Sequence, residues 1–309
     1  MSLNKAIILC NNRFAILTIR ELHFYGLVGA ILLPAKNKEL REEIESLPDL
    51  KMLSQPVRKN ELTEILGRSF GETGSTVGLV LSFPFILSPS QLKIPERGFY
   101  NFHFGPLPRY RGPEPLFAQV RNGEKETSVC VHELTGEVDS GPVCMEERVK
   151  IGEMDTYGSL QTKLSHTATS MALQLMKALD YTQKLPSTPQ DENEKRWNTR
   201  PGMDEVFIKW ETMTAREIAD LCRACNPWNK GAGTRIGTMV FAFLEVEIIA
   251  EETGINIPPG TIVSLNSGGL RIATSDHKLL GVNVLYCPEG FMSGQRLIAY
   301  GYREGDRFF

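Results

Sequence analysis

The chain has 309 residues, 41% of them hydrophobic and 23% charged, with a formal net charge of -3 at neutral pH. That composition is ordinary for a globular protein, and the length suits two domains better than one. The acidic balance excludes a surface that is basic throughout, as a general nucleic-acid binder needs, while leaving room for one basic face. No apolar run reaches the roughly 18 residues that a membrane-spanning helix requires. Six cysteines scattered over this length form no disulfide framework, so a reducing cytoplasm is the expected compartment. The opening Met1-Ser2-Leu3-Asn4-Lys5 leads straight into Ala-Ile-Ile-Leu-Cys. That run is short and has no small-residue cleavage site, which predicts a strand rather than a signal peptide.

Residues 5–10 read as a buried strand, and 14–25 carry Phe14, Leu17 and Leu22 at helical spacing. Gly26 punctuates before a second strand at 27–33. Helices are expected at 38–47 and 61–70, a third strand at 77–82 and a fourth at 99–104. A long helix is expected over 156–179, with Leu160, Leu164, Ala168, Met171, Leu175 and Leu179 on one face. Strands alternating with helices predict an α/β fold whose mostly parallel sheet is covered on both faces. Between about 181 and 201 the chain turns polar and proline-bearing. A linker is therefore expected over 186–205, between domains at 1–185 and 206–309. Thr214 and Glu217 have the spacing of a capping box for a helix over 214–225. Beyond it, strand-like runs at 239–249, 260–264, 270–274 and 279–285 are separated by Gly and Pro turns, as in a small barrel.

The richest functional text is the run from Asn101-Phe102-His103-Phe104-Gly105 through Pro106-Leu107-Pro108-Arg109-Tyr110-Arg111-Gly112. Asn101 and His103 are two apart at a strand end, so they share one face. A stiff loop rich in Gly and Pro follows, as at the mouth of a site. A second patch, Leu134-Thr135-Gly136-Glu137-Val138-Asp139-Ser140-Gly141, is an acidic loop flanked by glycines. On residue types alone, an amide, an imidazole and a carboxylate are candidates to converge there.

Asn-x-His-x-x-x-Leu-Pro-x-x-x-Gly, followed at a distance by Gly-x-x-Asp-x-Gly, resembles the signature of the formyltetrahydrofolate-dependent formyltransferases. The form Leu-Pro-Arg-Tyr-Arg-Gly, with Glu126-Thr127-Ser128-Val129 before the acidic loop, is similar to the methionyl-tRNA formyltransferases among them. So are Arg223-Ala224-Cys225-Asn226-Pro227-Trp228, the Gly260-Thr-Ile-Val segment and the Gly294-Gln-Arg-Leu segment, which extend the resemblance over nearly the whole chain. It implies a Rossmann-like catalytic domain and a C-terminal open β-barrel of the oligonucleotide-binding kind. It also implies 10-formyltetrahydrofolate as co-substrate, no metal, and a primary amine as acceptor, with initiator methionyl-tRNA the first choice.

Carried onto this sequence, the resemblance makes Asn101, His103 and Asp139 the catalytic residues. Asn101 would donate its amide N–H to the oxyanion formed when an amine attacks the formyl carbon. His103 would accept the amine proton or donate to the oxyanion. Asp139 would orient His103 or hold a relaying water. The folate ring is expected against Phe83, Phe85, Ile86 and Leu87 and against Gly136, Glu137 and Val138. Here the chain reads Ser82-Phe83-Pro84 where the family has Ala-Tyr-Gly, and proline removes a backbone donor from the pocket edge. Arg109 and Arg111 are candidates for acceptor or folate-glutamate contacts, and equally for solvated loop charges.

Blander readings stand beside these. Cys222 and Cys225 have half a zinc-site spacing but no second pair, which points to core thiols. His23, His132, His166 and His277 are isolated and read as structural or surface residues. The segment 34–47 mixes Lys, Arg and four Glu without Gly, whereas tRNA-directed members carry a glycine-rich basic loop there. That departure keeps an amino-sugar acceptor as the alternative. A 10-formyltetrahydrofolate hydrolase and a non-catalytic folate-binding module follow behind it.

Overall fold

The structure is a computed structural model that describes residues 4–51, 53–252 and 257–309. The chain forms two compact units. The first comprises Met1–Gly112, Glu126–Val149 and Gln161–Asn198, and the second Pro113–Lys125, Lys150–Leu160 and Thr199–Phe309.

The first unit is built on strands β1 (Ala6–Cys10), β2 (Val28–Pro34), β3 (Ser54–Val57), β4 (Val77–Leu81), β5 (Phe99–His103), β6 (Glu126–Glu133) and β7 (Val143–Lys150). Among the described residues they form one sheet in the order β3-β2-β1-β4-β5-β6-β7. β1 to β5 run parallel, and β6 runs antiparallel to β5. Every residue of β1, β2 and β4 is buried, which is why these strands read as continuous apolar runs rather than alternating ones. On one face Ile7, Leu9, Leu32 and Val80 pack with Leu66, Phe70 and Phe99. Gly78 makes room for this: a Cβ there would lie 2.0 Å from the Phe99 ring on the neighbouring strand. The strand order reverses between β1 and β4. In open α/β sheets the crevice at such a switch point, beyond the carboxyl ends of the strands, is where ligands bind.

Several elements had no clear sequence signal. β3 holds Pro56, which is tolerated because β3 is an edge strand. β6 is buried on both faces yet carries Thr127, Ser128 and His132, so neither an alternating nor a purely apolar pattern marks it. The polar stretch expected as a linker runs along the first unit as far as Asn198. Thr188 exchanges two backbone hydrogen bonds with Val143, and the Arg111 N–H donates to the Arg196 carbonyl. Residues 113–125 and 150–160, though early in the chain, cluster with the second unit, where the helix Pro115–Arg121 packs on the helix Ala215–Cys225.

In the second unit the capping box forms: the Thr214 hydroxyl accepts from the Glu217 N–H, and the Glu217 carboxylate accepts from the Thr214 N–H. Strands β8 (Ala232–Ile236), β9 (Met239–Glu252), β10 (Ile262–Asn266), β11 (Gly269–Ala273), β12 (Lys278–Cys287) and β13 (Gly290–Ser293) make an antiparallel sheet. Its order is β10-β11-β12-β9-β8, with β13 added on β12. The last residues of the chain join the two ends of this order. Arg235 on β8 and Phe309 exchange two backbone hydrogen bonds, Phe308 N donates to Gly260 O, and Ile262 N on β10 donates to Asp306 O. Phe308 is wholly buried, with ring contacts to Trp210, Phe241 and Phe243. The Trp210 indole N–H satisfies itself on Thr234 Oγ1 at 2.9 Å. Phe308→Ala should therefore destabilise the second unit by about 3–5 kcal/mol, the usual range for emptying a buried aromatic site. Denaturant unfolding followed by Trp fluorescence measures this, and a midpoint equal to the parent's would show that the tail does not hold the sheet.

Candidate active site

The carboxyl end of β5 carries Asn101 and His103. Parallel pairing sets Asn101 beside Val80 of β4, and antiparallel pairing sets it opposite His132 of β6. After β5 the chain turns back on itself, and the Tyr110 carbonyl comes 2.6 Å from His103 Nε2. A carbonyl oxygen only accepts, so Nε2 carries the hydrogen and donates it. The other ring nitrogen, Nδ1, faces Asp139 Oδ2 at 3.7 Å, beyond hydrogen-bond length.

Asp139 sits in the loop between β6 and β7 with φ at +53°, the left-handed region that few residues other than Gly adopt. Its Oδ2 accepts from the Gly112 N–H at 2.9 Å. Its Oδ1 lies 3.5 Å from both Asn101 Nδ2 and His132 Nε2. His132 Nδ1 lies 2.9 Å from its neighbour's carbonyl, Glu133 O, which again requires that nitrogen to donate. Its Nε2 is then an acceptor for Asn101 Nδ2 at 3.0 Å. The side chains expected from the sequence, Asn101, His103 and Asp139, therefore lie together, and His132 completes the cluster. The sequence had marked His132 as isolated. Only the β5–β6 register sets it against Asn101, and a strand buried on both faces offers no periodicity that singles it out.

Burial dominates the titration of His103 and lowers its pKa below the ordinary histidine value; His132 adds to this, while Asp139 and the Tyr110 carbonyl oppose it. For Asp139, burial alone would raise the pKa. The adjacent His103, then His132 and the Gly112 N–H, outweigh it and bring the carboxyl down to about 2. The arrangement at neutral pH is a neutral imidazole beside a firmly ionised carboxylate.

The remaining expected positions spread outward. Phe83 and Phe85 follow β4, their rings 5.2 Å apart and edge-on, and both pack with Leu134 against the buried cluster that includes Leu87. Ile86 is 67% exposed, and Gly136, Glu137 and Val138 are also at the surface. Arg109 is exposed, whereas Arg111 is buried and its guanidinium is engaged by Gln190 and Glu192. Cys222 and Cys225 are buried thiols, each with its pKa raised by desolvation. Among the described residues no cluster of three or more His, Cys, Asp or Glu is placed to hold a metal.

Comparison with known proteins shows the family of the chain. The formyl transferase family matches residues 35–176, and the C-terminal domain of formyl transferases matches 203–290. A curated relative, the methionyl-tRNA formyltransferase of Cereibacter sphaeroides, is 30% identical over 73% of this chain and 74% of its own. The chain belongs to the formyltransferase family. Solved structures share the fold at lower identity. HypX from Aquifex aeolicus, in complex with tetrahydrofolic acid, has a TM-score of 0.66 at 16% identity over 96% of this chain, which spans 47% of that longer protein. The N-formyltransferase from Helicobacter canadensis, in complex with folinic acid and dTDP-3-aminofucose, has a TM-score of 0.66 at 16% identity, covering 90% of this chain and 99% of its own. Among the described residues no helix is long and apolar enough to cross a membrane.

The lowered His103 pKa has a testable sign. The unfolded chain takes up the His103 proton near pH 6.5 while the folded chain does so at lower pH, so this group's contribution to stability falls as pH drops below about 6.5. An NMR titration of the His103 ring should give a midpoint below that value. Asp139→Asn removes the one charge that raises it and should move the midpoint lower still. A midpoint above 6.5 would show that pairing outweighs burial.

Proposed function

We propose that this formyltransferase moves the formyl group of 10-formyltetrahydrofolate to a primary amine, and that the amine is that of methionyl-tRNA. The observation that carries the chemistry is the convergence of Asn101, His103 and Asp139 at the carboxyl end of β5, with the proton on His103 Nε2 held by Tyr110 O. That bond leaves Nδ1 as the basic nitrogen, next to an ionised carboxylate. The amine nitrogen forms its bond to the formyl carbon, and the carbonyl π electrons move onto oxygen. One Asn101 N–H is tied to His132, and the other, only loosely opposed by Asp139 at 3.5 Å, is available to the oxyanion. Such a donor is worth about 3–4 kcal/mol in a preorganised site. The amine proton passes to His103 Nδ1, and the Asp139 carboxylate stabilises the imidazolium. Collapse of the tetrahedral species breaks the bond to the folate nitrogen, which leaves with that proton.

The apolar rings of Phe83 and Phe85, which with Leu134 are partly buried against the same cluster, suit one face of a flat heteroaromatic ring, and the exposed loop 136–138 is the expected source of backbone hydrogen bonds to it. The HypX and Helicobacter canadensis structures, in complex with tetrahydrofolic acid and folinic acid, support this co-substrate. The acceptor reading leans on the curated relative named a methionyl-tRNA formyltransferase. A second reading, an amino sugar carried on a nucleotide, has one observation in its favour. The segment after β2 forms the helix Lys38–Glu45, in which Arg41 pairs with Glu45 and Glu43 holds Arg13. Cations already neutralised in this way add little phosphate affinity. Arg109, exposed on the loop after β5, is the stronger of the two arginine candidates for an acceptor contact; Arg111 is engaged internally.

Supplying 10-formyltetrahydrofolate with methionyl-tRNA, with nucleotide-linked amino sugars, or with no acceptor, and following tetrahydrofolate release, separates the readings. Turnover is expected with methionyl-tRNA. Turnover with sugar nucleotides alone would replace that acceptor, turnover with none would indicate a hydrolase, and folate binding without turnover a binding module. His103→Ala and Asp139→Ala should each lower kcat by about 10²–10⁴-fold, the usual contribution of a positioned acid–base group, with folding unchanged by circular dichroism. Rates close to the parent's would remove both residues from the mechanism.

A further inference from the structure

Asp139 presents its carboxylate from a backbone conformation that aspartate tolerates but does not prefer. The side chain that holds this backbone lies fifty-one residues along the chain, in the polar stretch that the sequence marks as a linker. Gln190 Nε2 donates to the Asp139 carbonyl at 2.9 Å and to the Gly141 carbonyl at 2.7 Å. Its Oε1 accepts from Arg111 Nε at 3.0 Å and from Arg111 Nη2 at 2.8 Å. Arg111 is buried, and its Nη2 also donates to Glu192 Oε1 at 2.6 Å. The next residue, Gly112, gives its N–H to the Asp139 carboxylate. One amide side chain therefore ties the arginine of one loop to the backbone of the other, and the two loops meet again at the carboxylate itself.

We propose that Gln190 is a positioning residue for formyl transfer: it locks the 136–141 loop so that Asp139 stays aligned on His103 Nδ1. The proposal rests on the reading of Asp139 and His103 as the formyl-transfer pair. The chemistry requires glutamine. Its amide offers two N–H donors and an oxygen with two lone pairs, and all four are used here. The Arg111 guanidinium on the oxygen polarises the amide and strengthens both donations. An ionised glutamate has the same shape and keeps Arg111, but it has no hydrogen to give and turns an anionic oxygen toward two carbonyls. Anchoring of the 186–198 stretch does not depend on this residue. The two Thr188–Val143 bonds and the backbone bonds from Arg196 to Pro108 and from Asn198 to Arg111 hold it independently.

The test compares the full chain carrying Gln190→Glu with the parent and with Glu192→Gln, which removes the charge of the surface carboxylate that pairs with the buried Arg111 and leaves the Gln190 bonds intact. With 10-formyltetrahydrofolate and methionyl-tRNA, Gln190→Glu should lower kcat by about 10–100-fold, the scale of a misplacement near 1 Å, and change KM for the folate by less than about 3-fold. Amide exchange of residues 136–141 should quicken, and the His103 titration midpoint should fall as Asp139 drifts away. Glu192→Gln should match the parent in all three. Parent-like kcat or parent-like loop exchange in Gln190→Glu overturns the proposal, and so does an equal loss in Glu192→Gln, which would signal simple anchoring. If the parent does not turn over methionyl-tRNA, the acceptor reading fails by itself. Loop exchange and the His103 midpoint then decide the role of Gln190, for or against.

Discussion

The Asp139 carboxylate, buried and ionised, is the interaction on which the rest of the site depends. A buried anion is tolerated only where fixed donors and partner charges offset its lost hydration. Here the Gly112 N–H supplies a full hydrogen bond, and two imidazoles and an amide surround the remaining oxygen positions. The partners come from three pieces of chain: Asn101 and His103 from β5, His132 from β6, and Gly112 from the loop that follows β5. The carboxylate thus organises the elements around it as much as they position it.

That arrangement explains why the two histidines take opposite orientations. His103 uses Nε2 to hold Tyr110 O and keeps Nδ1 basic, while His132 uses Nδ1 to hold Glu133 O and keeps Nε2 as an acceptor for Asn101. In each case a backbone carbonyl chooses the tautomer, because a carbonyl can only accept. One ring thereby keeps an unprotonated Nδ1 facing Asp139, and the other orients the Asn101 amide. The parallel sheet supplies rigidity beneath both, since β5 lies between β4 and β6 and cannot shift without breaking two ladders.

Much of this is legible in the amino-acid sequence. The apolar runs of β1, β2 and β4, the cap at Thr214 and the pairing of Asn101 with His103 two residues apart follow from local pattern, which is short-range physics. The loop motif around Asp139 was legible as a motif. His132, Gln190 and the internal engagement of Arg111 were not. None of them has a local signature: a histidine in a strand buried on both faces, a glutamine in a polar stretch and an arginine in a loop each look generic in one dimension. The same holds for residues 306–309, which carry no local signal yet join β8, through Phe309, to β10, through Asp306.

The sequence by itself determined the fold class, the family and the three polar residues at the centre, because spacing along a strand and a contiguous motif are one-dimensional properties. The tertiary structure alone decided which nitrogen of His103 carries its hydrogen, that His132 lies against Asn101, that Arg111 faces inward, and that Gln190, in the stretch expected as a linker, bonds the backbone of the loop that carries Asp139. Those facts depend on strand register and on contacts between segments far apart in the chain, and no local pattern encodes either one.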